Sequence, residues 1–293
     1  MGSLELEAES TRQGGAGASD GLGRSGLGIV GGPLTLTSIA KVIGGTLAAV
    51  TLLSAAAMAE EAGYKLLKLD GQFVKWGTPE FGSPAHVTYA FADTAIEDPQ
   101  ARNCQRIVPL DALALRSGLT MAAVRAEAAA AFSLWQAAGG VSFQEVDSTR
   151  DAQIVIGAQA QPRGYAFANV RAGTGARVVA RPAPAGGRGM NLPQVSPGVT
   201  AGAADIAPIE RSAICLNPAR SWKIGFNGDA DTYDLRYTFA HEIGHAIGLD
   251  HPHGAGPLMH FKYQEAYRTP QVGDVAGVVR LYGEPQVRRR QDG

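Results

Sequence analysis

The stretch His241-Glu242-Ile243-Gly244-His245-Ala246-Ile247-Gly248-Leu249-Asp250-His251 decides how the rest of the chain reads. It holds three of the six histidines. On a helix, His241 and His245 project from one face about one turn apart. Two neutral imidazoles at that spacing clamp a zinc ion, and Glu242 between them is placed to take a proton from water bound there. Gly248 lets the helix end in a left-handed turn. The chain can then reverse and bring His251 to the same ion. Three protein nitrogens leave a fourth position open, the ligand pattern of a catalytic rather than a structural zinc. The short His-Glu-x-x-His pattern also turns up in helices that bind nothing. An incidental origin for the long form requires three histidines, a glutamate and a glycine to coincide.

The 293 residues can hold one large domain or two small ones, and a hydrophobic content of 45% is ordinary for a globular protein. The formal net charge of −1 gives no reason to expect nucleic acid or an anionic surface as a partner. Glycine and alanine are concentrated in particular stretches, and there is no internal repeat. The two cysteines, Cys104 and Cys215, suit a disulfide if this part of the chain is exported. The other reading is two unpaired buried thiols.

Residues 1–32 are rich in glycine and serine without apolar periodicity, which predicts a disordered N-terminal segment. Residues 33–59 read as a signal peptide or signal-anchor. Lys41 precedes an uncharged run from Val42 to Ala59 that ends in Ala57-Met58-Ala59 before Glu60-Glu61. That is the layout of a secretory signal with its cleavage site. Either the translation start lies nearer Leu34, or the run remains as an anchor, or it is an internal buried helix. The basic residues Arg12, Arg24 and Lys41 put the N-terminus inside. The first two readings therefore place the catalytic part outside the cytoplasm, secreted, periplasmic or anchored to the membrane. A membrane partner follows only if the run is not cleaved.

Residues 60–83 form a short linker with a strand expected at Phe73–Lys75. Ala85–Phe91 alternates as a clear strand. Thr120 is placed to cap a helix that runs to about Ala138 and stops at Gly139-Gly140. Val141–Val146 and Ala152–Gly157 read as strands, Gly164–Val170 and Arg177–Arg181 as further short ones. Pro182–Pro208 is a long connection rich in glycine, proline and alanine. Ile214–Leu216 and Trp222–Ile224 read as extended pieces. Asp231 is expected to cap the histidine-bearing helix, with Asp234 in its first turn. Asp274 caps a last short helix ending at Tyr282-Gly283. His86, on its strand, is left out of the site; His253 and His260, close to it in sequence, read as surface histidines, the other reading being that one of them supports the ligands. A strand, a helix and two more strands in this order suggest a twisted sheet covered by a helix on one face.

From about Pro84 to Gly283 the chain resembles the metzincin zinc endopeptidases, whose pattern H-E-x-x-H-x-x-G-x-x-H it satisfies at every fixed position. It looks most like a bacterial-type matrixin, of the matrix metalloproteinase family. The likeness includes Ala131-Phe-Ser-Leu-Trp-Gln136, the Asp151-Ala-Gln-Ile-Val-Ile strand, Leu258-Met259 and the closing Asp274–Gly283 segment. The resemblance implies an α+β catalytic domain over 84–284, followed by a tail at 285–293. Its sheet would be mostly parallel with one antiparallel edge strand, joined by two long helices and a short C-terminal one. It implies catalytic zinc on His241, His245 and His251, Glu242 as general base, and Met259 in the tight turn beneath the metal. Tyr263 would line the primed-side specificity pocket, with Phe261 where the family has proline. Protein or peptide substrates are implied, and calcium is left open. No histidine occurs between His86 and His241, so the second, structural zinc of animal matrixins is not expected. Pro252 after the third histidine is more typical of serralysins, which rank second. A rival of another class is a surface module merely stapled by zinc, and a lesser one is a metal-dependent hydrolase acting on something other than protein.

Overall fold

The structure, a computed structural model, describes residues 63–173, 206–253 and 257–286, together with the backbone of a strand at Gly2–Glu5. The apolar run at Val42–Ala59, the expected strand at Arg177–Arg181 and most of the Pro182–Pro208 connection lie outside the described residues. Among the described residues, no helix is long and apolar enough to cross a membrane.

Strand β1 is Ala85–Phe91, as its alternation predicts. A short helix α1, Asp111–Arg116, precedes helix α2, Met121–Ala138. Thr120 caps α2, its hydroxyl accepting from the Ala123 amide at 3.1 Å. Strands β2 (Val141–Glu145), β3 (Ile154–Gln159) and β4 (Ala166–Ala172) follow. Strand β5 is longer than the sequence suggests, Ile206–Leu216, because its first half pairs with residues far back in the chain. Its Ile206–Pro208 end lies parallel to Phe73–Lys75, which belongs to a strand at Gln72–Lys75.

The main sheet runs β4-β5-β3-β1-β2 across its width. The β5–β3, β3–β1 and β1–β2 pairs are parallel, with Ile214 opposite Ile156 and Ala85 opposite Val141. Only β4 runs antiparallel to its neighbour in this set. This is the expected α+β architecture. Gly2–Glu5 lies antiparallel along the outer side of β4, where a segment expected to be disordered finds an open row of backbone donors and acceptors.

Helix α3, Leu235–Ala246, packs beside α2 and against β4 and β5, while Phe132 of α2 stacks on Tyr89 of β1; α4, Val272–Tyr282, closes the C-terminal side. Val124, Ala128, Ala131, Phe132 and Trp135 on α2 are buried, the stripe that its spacing requires. Trp135 donates through Nε1 to Ala240 O at 2.8 Å and so locks α2 to α3. Trp76 does the same at the other end of α3, to Ala246 O at 2.8 Å.

Cys104 and Cys215 are joined in a disulfide, tying the loop before Arg106 to the buried end of β5. The bridge closes a loop of 111 residues, so in the unfolded chain it removes much conformational freedom. The double variant Cys104→Ala, Cys215→Ala is expected to lose about 2–4 kcal/mol of unfolding free energy. Urea titration under non-reducing conditions measures this, and an unchanged midpoint would contradict it.

Candidate metal centre

Asp234, not Asp231, caps α3: its Oδ1 accepts from the Tyr237 amide at 2.8 Å. Asp231 lies beyond the helix, among exposed residues of the preceding loop. The difference arises because α3 begins with a short parallel pairing of Tyr233-Asp234 with Trp222-Lys223, which delays the helix. Every α3 residue from Tyr237 onward is buried, including His241, Glu242 and His245, each 0% exposed.

Two glycines allow this packing. At Gly244, a Cβ would collide with the sulfur of Met259 and lie 2.9 Å from Trp135 Cζ2. At Gly248, φ is +102° and a Cβ would run into Val74 O. Gly248 turns the chain out of α3, and its carbonyl accepts from the Leu67 amide at 2.8 Å. Leu249-Asp250 then pairs antiparallel with Lys65-Leu66, and Lys65 Nζ bonds Asp250 Oδ2 at 2.7 Å. Asp250 Oδ1 accepts from the His251 amide at 2.8 Å, which sets the third histidine on its course back towards the helix.

The three Nε2 atoms meet: His241 to His251 3.1 Å, His245 to His241 3.1 Å, His245 to His251 3.0 Å. Ligands at about 2.0–2.1 Å from a tetrahedral zinc would stand about 3.3–3.4 Å apart, close to this triangle. The Nδ1 atoms face away and fix the tautomers. His241 Nδ1 donates to Leu258 O at 2.8 Å, and His245 Nδ1 donates to Leu249 O at 2.9 Å. With those protons on Nδ1, the two Nε2 atoms present lone pairs to each other, and His251 can supply at most one proton between them. Such a set is satisfied by a cation. Among the described residues it is the one group of histidine, cysteine or acidic side chains arranged to hold a metal. Burial, then the neighbouring imidazoles, lowers the His241 pKa to about 3; burial lowers that of His251 to about 4 and that of His245 well below its ordinary value. All three rings are therefore neutral ligands at ordinary pH.

Beside the triad, Leu258 and Met259 are buried, and Asp274 clasps them. Its carboxylate accepts from the Leu258 amide at 2.7 Å, the Met259 amide at 3.1 Å and the Gln271 amide at 2.7 Å. Asp274 is thus the third residue of α4, and Gln271 is the cap of a reciprocal capping box. The sequence identifies Asp274 as a helix-start residue but carries no signal that it also holds the turn beneath His241. His260 is also buried rather than exposed, 8%, its Nδ1 accepting from the Lys262 amide at 3.2 Å. His253 is exposed. His86 is engaged with Ser142 Oγ at 3.0 Å, far along the sheet from the triad in strand β1.

Tyr263 stands beside α3. Its hydroxyl accepts from the Asp234 amide at 2.9 Å and donates to Glu265 Oε1 at 3.0 Å. Its ring stacks on Tyr233, centroids 4.0 Å apart, and meets Tyr237 edge-on at 4.9 Å. Phe261 is partly exposed, with its ring 6.4 Å from that of His251.

Residues 193–283 match the matrixin model of peptidase family M10, a span that includes the whole of α3, the triad and α4. That match and the relative named next support a matrixin-type metzincin. It is similar to Metalloendoproteinase 1-MMP of Arabidopsis thaliana, 29% identical over 164 residues, which is 54% of this chain and 38% of that relative. The chain therefore aligns with well under half the length of that curated relative. Matrixins bind zinc, and the donor set here suits it.

In the metal-free protein, protonation should unfold this domain. The unfolded histidines titrate near 6.5 and the folded ones near 4 and 3, so between these values the unfolded state binds more protons. Stability is therefore complete above about 6.5 and drains away as pH falls from there. Urea midpoints of chelator-treated protein are expected to fall from neutral pH to about 5, and saturating zinc should reduce the fall. A metal-free midpoint that rose on acidification would contradict the burial of neutral imidazoles.

Proposed function

We propose that the chain is a zinc-dependent endopeptidase that hydrolyses internal peptide bonds outside the cytoplasm. The observation that carries this reading is the set of three converging imidazole nitrogens, with Glu242, itself 0% exposed, next to the first of them on α3. A structural site would recruit a fourth protein ligand and would have no use for a buried glutamate at that position.

Zinc held by three neutral imidazoles would lower the pKa of water at the open position towards about 7 and polarise a carbonyl brought beside it. The chain's own residues do the rest. His241 and His245 are kept in register by their Nδ1 bonds to Leu258 O and Leu249 O, so the donor atoms need no reorganisation during turnover. Glu242 takes the proton from the attacking water and later hands it to the departing amine. Tyr263 and Phe261 flank the primed side and sort side chains there. An extended peptide suits the antiparallel edge strand β4, which packs on α3, through added backbone hydrogen bonds. Gly2–Glu5 lies along that edge, so a substrate strand would displace it, and cleavage after Ala59 would remove it altogether.

The Cys104–Cys215 disulfide supports an exported location, since such bonds persist in oxidising compartments. The apolar run ending at Ala59 supplies the means, either as a cleaved signal or as an anchor that leaves the domain outside. The substrates are proteins or peptides, and nothing in the charge balance favours nucleic acid.

Glu242→Ala is expected to keep one zinc per chain and to lose at least about 10²–10⁴-fold in rate on a casein or gelatin substrate. Metal analysis and a chelator-sensitive cleavage assay on the same preparations check both halves. Undiminished cleavage by the variant would remove Glu242 from the mechanism, and absence of cleavage by the zinc-loaded parent would defeat the peptidase reading itself.

A further inference from the structure

The wall that carries Tyr263 is secured by ion pairs lying away from the metal. Arg268, on the segment between the Met259 turn and α4, reaches back to the start of α3. Its Nε bonds Asp234 Oδ1 at 3.1 Å and its Nη2 bonds Asp234 Oδ2 at 2.9 Å, a two-pronged contact to a carboxylate that is 0% exposed. The same Nη2 reaches Glu127 Oε2 on α2 at 3.4 Å. Arg236 takes the rest of Glu127, with Nε to Oε2 at 2.7 Å and Nη2 to Oε1 at 3.0 Å. Two guanidinium groups and two carboxylates thus alternate across three segments: α2, the start of α3 and the segment that bears Tyr263.

Asp234 joins this cluster to the wall. Its side chain holds Arg268, while its amide donates to the hydroxyl of Tyr263 at 2.9 Å. Tyr263 and Arg268 are five positions apart on one loop, and both are fastened to the same residue. The seam they hold is tight. Tyr237, one helical turn before His241 and with its ring nearly parallel to it (13°), is 2% exposed and faces the edge of Tyr263. Tyr263 thus packs directly on the helical turn that precedes His241. Nothing covalent sets the distance between helix and wall; the Arg268–Asp234 fork sets it together with the Asp234–Tyr263 hydrogen bond and the Lys223–Glu265 ion pair.

We propose that Arg268 is a positioning residue for the primed-side pocket: by binding Asp234 and Glu127 together it holds the Tyr263 wall against helix α3, and so sets which side chain is accepted next to the scissile bond. The proposal deepens the peptidase reading and rests on it for the identity of the pocket. A guanidinium is required because only a planar fork can take both oxygens of Asp234 while its outer nitrogen reaches Glu127. Lysine would supply the charge without that geometry.

The test compares the parent with Arg268→Lys and Arg268→Gln, using the full zinc-loaded chain. One arm is hydrogen–deuterium exchange over residues 258–268 and over α3. The other is a peptide series that differs only in the residue after the scissile bond, with kcat and KM measured separately. Exchange in the wall should rise in both variants while α3 and the zinc content stay as in the parent. The ratio of kcat/KM between small and bulky residues at that position should shift by about tenfold, as displacements of about an ångström do. Unchanged wall exchange, or an equal loss on every peptide in the series, would overturn the proposal. Should the glutamine variant fail to fold, the lysine variant alone decides, because it keeps the charge in place. An inactive parent would sink the peptidase reading and with it the selection of side chains, while the exchange arm would still decide whether Arg268 holds the wall against α3.

Discussion

Three imidazole nitrogens pointing at one another within 3.1 Å are the constraint on which the rest of this domain depends. Two of them cannot be donors, because their rings spend their protons on Leu258 O and Leu249 O. In water such a cluster would turn its rings outward or protonate. Here both escapes are blocked: the rings are locked by backbone hydrogen bonds, and burial makes the charged form costly. The arrangement stores a demand for a cation, and the surrounding elements are built to maintain it.

That maintenance is distributed. Trp135 and Trp76 grip the Ala240 and Ala246 carbonyls of α3 through their indole nitrogens, which holds the helix at its middle and its end. Asp274 clasps the amides of Leu258 and Met259, which positions the carbonyl that orients His241. Lys65 and Leu66, from the start of the described chain, pair with Asp250 and Leu249 and thereby aim His251. A ligand set that spans eleven residues of sequence is in this way fixed by contacts from both ends of the domain. Apart from the Lys65–Asp250 ion pair, these contacts engage buried backbone groups, where an unmade hydrogen bond would be expensive.

Much of the fold was legible in advance. The period-two alternation of Ala85–Phe91 and the Thr120 cap with its Gly139 stop predicted β1 and α2 at their observed positions. These signals are local, and local chemistry suffices to decide them. The misplacements share another cause. Asp231 was a plausible cap by composition, but the Tyr233–Asp234 pairing with Trp222–Lys223 moved the helix start. Strand β5 was expected as three residues and runs to eleven, because Gln72–Lys75 offers it a partner more than a hundred residues away. His260, polar and adjacent to a turn, read as a surface residue, yet the clasped turn carries it inward.

The sequence by itself determined the chemistry. Ligand type, the spacing of four along a helix, the left-handed turn at Gly248 and the acid between the first two ligands are all properties of neighbouring residues, and neighbours are what a sequence displays. Only the tertiary structure decided which protons the imidazoles carry, that Asp274 supports the turn beneath them, and that Arg268 ties the segment bearing Tyr263 to Asp234 and Glu127. Those facts depend on side chains brought together across many tens of residues. A charged residue such as Arg268 has no periodic or capping signature from which its partners could be read, since long flexible cations occur mostly on solvated surfaces and become specific only when a fold gives them a buried carboxylate to hold.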